Sequence, residues 1–283
     1  MKFEKWTALG NDYVIVEAAA LHWELNPERI KRICNRPFGV GSDGILLLLP
    51  HEDPAYVADL RIFNRDGSEA ALSGNGAREA AMYLRHRGWT EDDEFTILTK
   101  AGPITPRIRT ERDCTIDMGR ATTRSPDFPS GGEDGRGELE ADGRRWRFQH
   151  VSIGNPQCAI EIPGGVEELE ELDLTTVGPE IEHHELFPNR TNVSFFHVRD
   201  SLVRARIFER GVGETLSSGT GASGAAVAAV LAGAESPLTV QLDGGQLQVD
   251  VGDDLELRQT GWAEVVYAGE FSERFTRVLG EIG

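Results

Sequence analysis

The chain repeats itself. Arg61-Ile-Phe-Asn-Arg-Asp-Gly-Ser-Glu69 leads into Leu72-Ser-Gly-Asn-Gly-Ala77, and Arg206-Ile-Phe-Glu-Arg-Gly-Val-Gly-Glu214 leads into Ser217-Ser-Gly-Thr-Gly-Ala222. The offset is 145 throughout, pairing Arg61 with Arg206, Glu69 with Glu214 and Ser73 with Ser218. A second match lies 144 residues apart: Leu9-Gly-Asn11 before Tyr13–Glu17, and Ile153-Gly-Asn155 before Cys158–Glu161. Two matches at about half of 283 residues point to a duplicated domain. The expected fold is α+β: two similar α/β domains related by a pseudo-twofold axis, with a cleft between them. The domains are placed at residues 1–120, with about 265–283 as a candidate completion, and at 121–264.

Each half reads as mixed strand and helix. Short β-branched or aromatic runs predict strands at Tyr13–Val16, Ile45–Leu49, Leu60–Phe63, Phe95–Leu98 and Cys114–Met118. The second half offers Val151–Ile153, Ala159–Ile162, Val193–Val198, Leu202–Phe208 and a hairpin from Leu238–Leu242 into the Leu247 strand. Asn26 before Pro27 predicts a helix to about Asn35, and Ala77–Arg87 a second that stops at Gly88. Ala222–Leu231 is almost wholly Ala, Val and Leu, so it should be buried on all sides. Ser125–Arg145 reads as a surface loop or linker, with the domain boundary near Gly119–Ser125, and the strand Glu264–Tyr267 could return to either half.

Charge narrows the partners. The formal net charge is −18, from 29 basic and 47 acidic residues. That balance lacks the basic footprint by which proteins hold nucleic acid or anionic membranes, so neither is expected. No apolar run nears the roughly 18 residues of a membrane span, and Met1–Trp6 opens no signal-peptide pattern, which leaves a cytoplasmic location as the default. Cys34, Cys114 and Cys158 fit neither a disulfide framework nor a zinc pattern and are expected as buried thiols; no metal site is expected.

In both repeats a strand feeds a loop, and Ser-Gly-Asn/Thr-Gly-Ala then opens a helix. Backbone N–H groups and the positive end of the helix dipole gather at such a start, which suits an anion such as a carboxylate. With a pseudo-twofold axis, Ser73 and Ser218 would flank one small-molecule site.

The two motifs resemble the signature motifs of the diaminopimelate epimerase family. So do Ala8-Leu-Gly-Asn-Asp12, Gly39-Val-Gly-Ser-Asp-Gly44, Gly154-Asn-Pro156 and Arg190-Thr-Asn192, and the likeness spans essentially the whole chain. The resemblance implies an amino-acid epimerase that converts LL- to meso-diaminopimelate, a lysine and cell-wall precursor, without a cofactor. It further implies an amino-acid substrate and a possible homodimer. Catalysis would fall to Ser73 and Ser218, which stand where the family carries two cysteines. Substrate binding would fall to Asn11, Asn64, Gly74, Asn75, Asn155, Asn192, Glu209, Arg210, Gly219 and Thr220, with Glu209 and Arg210 reading the distal ammonium and carboxylate. Two further departures stand out: Gln157 where the family usually has His, and Gly44 where some members carry Gln.

Inverting an α-carbon is most direct with a base on one face and an acid on the other. A serine hydroxyl lies perhaps ~5 pKa units above a thiol, about 7 kcal/mol, whereas a helix start supplies about 1–2 kcal/mol. Serine therefore needs a partner that takes its proton, as in hydrolases. Glu69, Glu214 and His150 are candidates, although solvated carboxylates are the simpler expectation. Three readings follow: an epimerase with relayed serines; a binding homologue without proton transfer, whether drifted or with serines introduced to trap a ligand; and a racemase or isomerase for another amino acid.

Overall fold

The computed structural model describes residues 1–283. In chain order the elements begin with β1 (Lys2–Ala8), β2 (Asn11–Glu17), α1 (Pro27–Cys34), β3 (Gly44–Leu49), β4 (Ala58–Asn64) and β5 (Glu69–Ala70). Then come α2 (Gly74–His86), β6 (Ile97–Thr99), β7 (Gly102–Ile104), β8 (Arg107–Ile108) and β9 (Asp113–Arg120). Beyond these lie β10 (Arg136–Ala141), β11 (Arg144–Ser152), β12 (Pro156–Glu161), α3 (Val166–Glu171), α4 (Leu174–Glu182), β13 (Asn192–Arg199) and β14 (Leu202–Glu209). The chain closes with β15 (Gly213–Thr215), α5 (Gly219–Leu231), β16 (Leu238–Leu242), β17 (Gly245–Val251), β18 (Glu256–Trp262), β19 (Glu264–Glu270) and α6 (Glu273–Glu281). Two compact units result, Met1–Asp117 with Gly261–Gly283, and Met118–Thr260.

The duplication is visible in the sheets. The first unit's sheet runs β19-β1-β2-β3-β4-β6-β7, and the second contains the run β11-β12-β13-β14-β16-β17. From β1 to β7 the pairings alternate antiparallel, parallel, antiparallel, parallel, antiparallel. From β11 to β17 they do the same. Even the small side strand keeps its register: Phe63 faces Glu69 as Phe208 faces Glu214. An α+β fold of two like units follows.

Each unit has its own core. In the first, Val14, Val16, Ile45, Leu47 and Phe63 from the sheet meet Ile30, Ile33 and Cys34 of α1 and Leu279 of α6. Asn26 caps α1 as its sequence predicts, its Oδ1 accepting from the Arg29 amide at 2.9 Å. In the second unit, Trp146, Phe148, Ile160, Phe195 and Phe208 pack with Leu169 of α3 and Val177 and Ile181 of α4. Residues Gly221–Ala229 of α5 are all buried, as an all-apolar helix requires. The three cysteines are buried free thiols.

Three expectations change, and one left open is decided. Ser125–Arg145 is not a linker: it contains β10, Leu139 and Ala141 face the core, and Phe128 packs on Phe148 and Phe187. Its alternation and the Asp142-Gly143 turn into β11 are hairpin signals hidden by the surrounding Gly and Asp. The strand expected at Phe95–Leu98 sits at Ile97–Thr99. Helices α2 and α5 begin three residues before Ala77 and Ala222, because the serines themselves are the caps. The last strand, β19, pairs with β1 and thus returns to the first unit.

One buried charge makes stability depend on pH. Glu79 on α2 is fully buried. Burial, with the charges of Asp12 and Asp43, holds its carboxyl well above the ordinary 4.5 despite the adjacent Arg78. The folded chain then binds this proton more tightly than the unfolded one. Its stabilising contribution is full below about pH 4.5 and is lost as pH rises through the folded pKa. Urea unfolding at pH 5 and pH 8 should show Glu79→Gln losing less stability over that interval than the parent. Equal losses would contradict the placement of Glu79.

Candidate active site

Both Gly-rich motifs build the same local object. Ser73 is the N-cap of α2, with φ −139° and ψ 123°, and its Oγ accepts from the Gly76 amide at 3.1 Å. Ser218 caps α5 with φ −140° and ψ 120°, accepting from the Gly221 amide at 3.3 Å. The glycines let each helix start lie against the sheet: a Cβ on Gly221 would come within 2.8 Å of Ile207, and one on Gly76 within 3.1 Å of Leu46. Gly74 and Asn75, and Gly219 and Thr220, form the first turns, whose N–H groups have no carbonyl to meet within the helix. Each serine hydroxyl thus sits at the positive end of a 13-residue helix.

The hydroxyls have different partners. Ser218, almost wholly buried, donates to Glu209 Oε2 at 2.9 Å. Burial pushes the Glu209 carboxyl above its ordinary value, with hydrogen bonds from Thr215 and Ser218 pulling the other way. Ser73 is half-buried, and Tyr13 Oη of β2 points at its Oγ from 3.5 Å. At the position of Glu209 the first unit has Asn64, whose amide donates to Ser68 Oγ at 2.9 Å.

The carboxylates considered as serine partners are engaged elsewhere. Glu69 pairs with Arg61 at 2.9 Å and Lys100 at 3.6 Å, and Glu214 with Arg206 at 2.6 Å. His150 meets Ser125 Oγ at 2.9 Å. Sequence reasoning placed Glu209 at the distal end of a substrate and did not connect it with Ser218; it missed Tyr13. Glu209 is nine residues from Ser218 and Tyr13 is sixty from Ser73, spacings that carry no local signal.

The remaining residues fall into two groups. In the first unit Asn11 opens β2, its Nδ2 donating to Asp43 Oδ2 at 3.0 Å. Asp43 and Asp12 share Arg36, at 3.1 and 3.0 Å, and Lys5 meets Asp12 at 2.5 Å. Burial would raise the Asp12 carboxyl, but Lys5, Asp43 and Arg36 together hold it below its ordinary value. Buried Arg78 donates to Asn75 Oδ1. In the second unit Gln157 Nε2 donates to Asn155 Oδ1 at 2.7 Å, and Asn155 Nδ2 to Thr220 Oγ1 at 3.2 Å, linking β12 to the start of α5. Asn192 Oδ1 accepts from the Arg210 amide at 2.9 Å, its Nδ2 donates to Pro156 O at 3.0 Å, and Gln259 donates to Gly219 O. The Arg210 guanidinium is exposed and donates to Asn189 O at 2.9 Å.

Comparison with known proteins places this arrangement. The diaminopimelate epimerase family pattern matches residues 3–124 and 150–266. The chain belongs to the diaminopimelate epimerase family. A diaminopimelate epimerase of a Synechococcus species is 42% identical over 263 residues, covering 88% of this chain and 90% of that one. The diaminopimelate epimerase of Moorella thermoacetica is 40% identical over 284 residues, covering 96% and 99%. Among solved structures, a Bacillus anthracis phenazine biosynthesis protein of the PhzF family superposes with TM-score 0.67 at 19% identity, covering 96% of this chain and 99% of that one. An Agrobacterium vitis hydroxyproline epimerase superposes with TM-score 0.66 at 19% identity, covering 95% and 91%. At such identities these two share the fold alone.

The two caps should differ in stability. Ser73→Ala removes one cap bond and should cost about 0.5–2 kcal/mol. Ser218→Ala also removes one of the side-chain donors to Glu209, Thr215 being the other, and should cost about 1 kcal/mol more at pH 7. Urea unfolding of both variants checks this; equal costs would mean that the Ser218–Glu209 bond contributes nothing.

Proposed function

We propose that this member of the diaminopimelate epimerase family converts LL- to meso-diaminopimelate without a cofactor, using Ser73 and Ser218 as the two ends of a proton transfer at one α-carbon. The observation that carries the reading is the Ser218–Glu209 hydrogen bond at the start of α5. Forming an alkoxide in place of a thiolate costs about 7 kcal/mol. Glu209 offsets part of this by accepting the Ser218 proton as the hydroxyl reacts, so that no free alkoxide forms beside a carboxylate, and about 3 kcal/mol left over would slow turnover about 100-fold. Epimerisation by this chain is therefore slow rather than abolished. The first-turn amides of both helices would hold the α-carboxylate, and the charge they stabilise grows as the α-carbon loses its proton. Asn11, Asn64, Asn155 and Asn192 would supply neutral donors and acceptors, and Arg210 would reach the distal carboxylate in bidentate fashion.

We further propose that the enzyme works in the cytoplasm, apart from nucleic acid and membranes, as a homodimer. The strongly acidic composition favours solution, and no helix is long and apolar enough to cross a membrane. Strand β19 forms the open edge of the first sheet and exposes Val265, Val266 and Tyr267, a pairing surface for the same strand of a second copy. Sedimentation should find a dimer for the parent and a monomer for Val266→Lys; a monomeric parent would remove this part of the proposal.

Incubation with LL-diaminopimelate, followed by chiral chromatography of the product, tests the activity. The double variant Ser73→Cys with Ser218→Cys should turn over at least ~100-fold faster than the parent, in keeping with uncompensated acid–base energy of that size. Equal rates would contradict the role of the hydroxyls. Tight binding with no turnover in either protein would leave a binding homologue instead.

A further inference from the structure

The duplication allows each position to be compared with its twin. Tyr13 and Gln157 lie 144 residues apart and occupy the same place in the two sheets: Tyr13 pairs with Gly44 of β3, and Gln157 with Asn192 of β13. One strand farther on, Gly44 pairs with Asn64, the twin of Glu209. The repeats therefore contact their serines from different strands. In the second unit the partner is Glu209, at the end of β14, while Gln157 turns to Asn155. In the first unit Asn64 turns to Ser68, and the group facing the serine is the phenol of Tyr13.

Gly44 supplies the room for that phenol. A Cβ there would lie 2.6 Å from Cε1 and 3.0 Å from Cδ1 of the Tyr13 ring, and 2.1 Å from Phe63 O. A ring on β2 and a side chain on β3 cannot both fill this space. Gly44 thus leaves the Tyr13 ring free to lie over β3 with its hydroxyl toward Ser73.

We propose that Tyr13 is the proton partner of Ser73, doing through a phenol what Glu209 does for Ser218 through a carboxylate. This rests on the epimerase reading given above. When the Ser73 face acts as the acid, the Ser73 Oγ–H bond breaks as a new C–H bond forms at the substrate's α-carbon. The Tyr13 Oη–H proton passes to Ser73 Oγ, leaving a tyrosinate that regains a proton from water. In the opposite direction each proton moves the other way: tyrosinate takes the Ser73 proton as Ser73 Oγ takes the α-proton. A phenol, with an ordinary pKa of about 10, is a stronger acid than an alcohol by roughly 3 units, so it supplies this proton more readily than a serine hydroxyl does, and its anion is more accessible at ordinary pH than an alkoxide. The 3.5 Å separation is long for a hydrogen bond, as acid–base contacts often are before substrate draws them together.

The test is a cycle of four proteins: the parent, Tyr13→Phe, the Ser73→Cys/Ser218→Cys double variant, and that double variant carrying Tyr13→Phe. Conversion of LL- to meso-diaminopimelate and its reverse is followed from pH 6 to pH 10.5. Tyr13→Phe removes one oxygen and leaves the ring in place. In the serine background it should lower turnover at least ~30-fold with KM changed less than about 3-fold, since the loss is of acid–base help. The rates in the two directions should share one pH profile, since the same protons move in both, and Tyr13→Phe should alter its high-pH limb in both directions alike. In the cysteine background, where a thiol needs no phenol, the same change should cost less than about 3-fold. An equal loss in both backgrounds would make the hydroxyl a packing group and overturn the proposal, as would an unchanged rate in the serine background. If the cysteine variant epimerises and the parent does not, the relay fails and the epimerase reading stands. If the cysteine variant does not act on diaminopimelate, the epimerase reading itself fails.

Discussion

A serine oxygen accepting the amide hydrogen three residues ahead, at the start of a buried helix, occurs twice in this chain, and most of the structure is arranged to allow it. The helix must begin immediately after an extended residue, because the serine needs β-region dihedrals to fold its side chain back onto the first turn. Glycine three residues after each serine lets the first turn sit close to the sheet, because a Cβ would press on Ile207 at 2.8 Å and on Leu46 at 3.1 Å. The helix behind Ser218 must be apolar all round, because it packs across β11–β14, β16 and β17. Each requirement is a sequence constraint, and the duplication imposes it at both sites.

The same scaffold then carries different side chains around the serine in each unit. The topology and register of the two sheets agree strand for strand, so the differences stand out as substitutions on a common frame: Asn64 against Glu209, Tyr13 against Gln157, Gly44 against Asn192. One serine faces a half-buried carboxylate whose proton affinity is raised, the other a phenol. A reaction that swaps acid and base between two stereochemical faces has no need of identical groups, only of one proton donor and one acceptor whose roles exchange with direction. Polar side chains around both starts are fixed by neighbours rather than left loose, Asn11 by Asp43, Asn75 by Arg78 and Asn155 by Gln157.

Much of this was legible before any coordinates. The constant offset revealed two like domains, the Ala-Val-Leu run revealed a fully buried helix, and Asn26-Pro27 revealed a capped start. Other features depend on physics that a linear reading does not contain. β10 lies in a Gly- and Asp-rich stretch whose alternation is short, and only the pairing with β11 and the Phe128–Phe148–Phe187 cluster brings it into the core. Helices α3 and α4 were passed over because six consecutive positions of α3 hold four glutamates and α4 contains Pro179, although Asp173 is a capping signal that could have found α4. The serine partners were the least accessible. Tyr13 reaches Ser73 from another strand, and Glu209 had an adequate assignment of its own from family resemblance.

The central claim is that two hydroxyls, one per repeat, divide the proton transfer between the faces of a single carbon. The most direct measurement follows isotope placement at early conversion in deuterium oxide, by mass spectrometry and proton NMR of both recovered substrate and product. Two separate groups predict meso-diaminopimelate carrying one deuterium at the inverted carbon while unreacted LL-diaminopimelate keeps its hydrogen. Deuterium accumulating in unreacted LL-diaminopimelate as fast as product forms, or product that retains the original hydrogen, would indicate a single group serving both faces and would contradict the account.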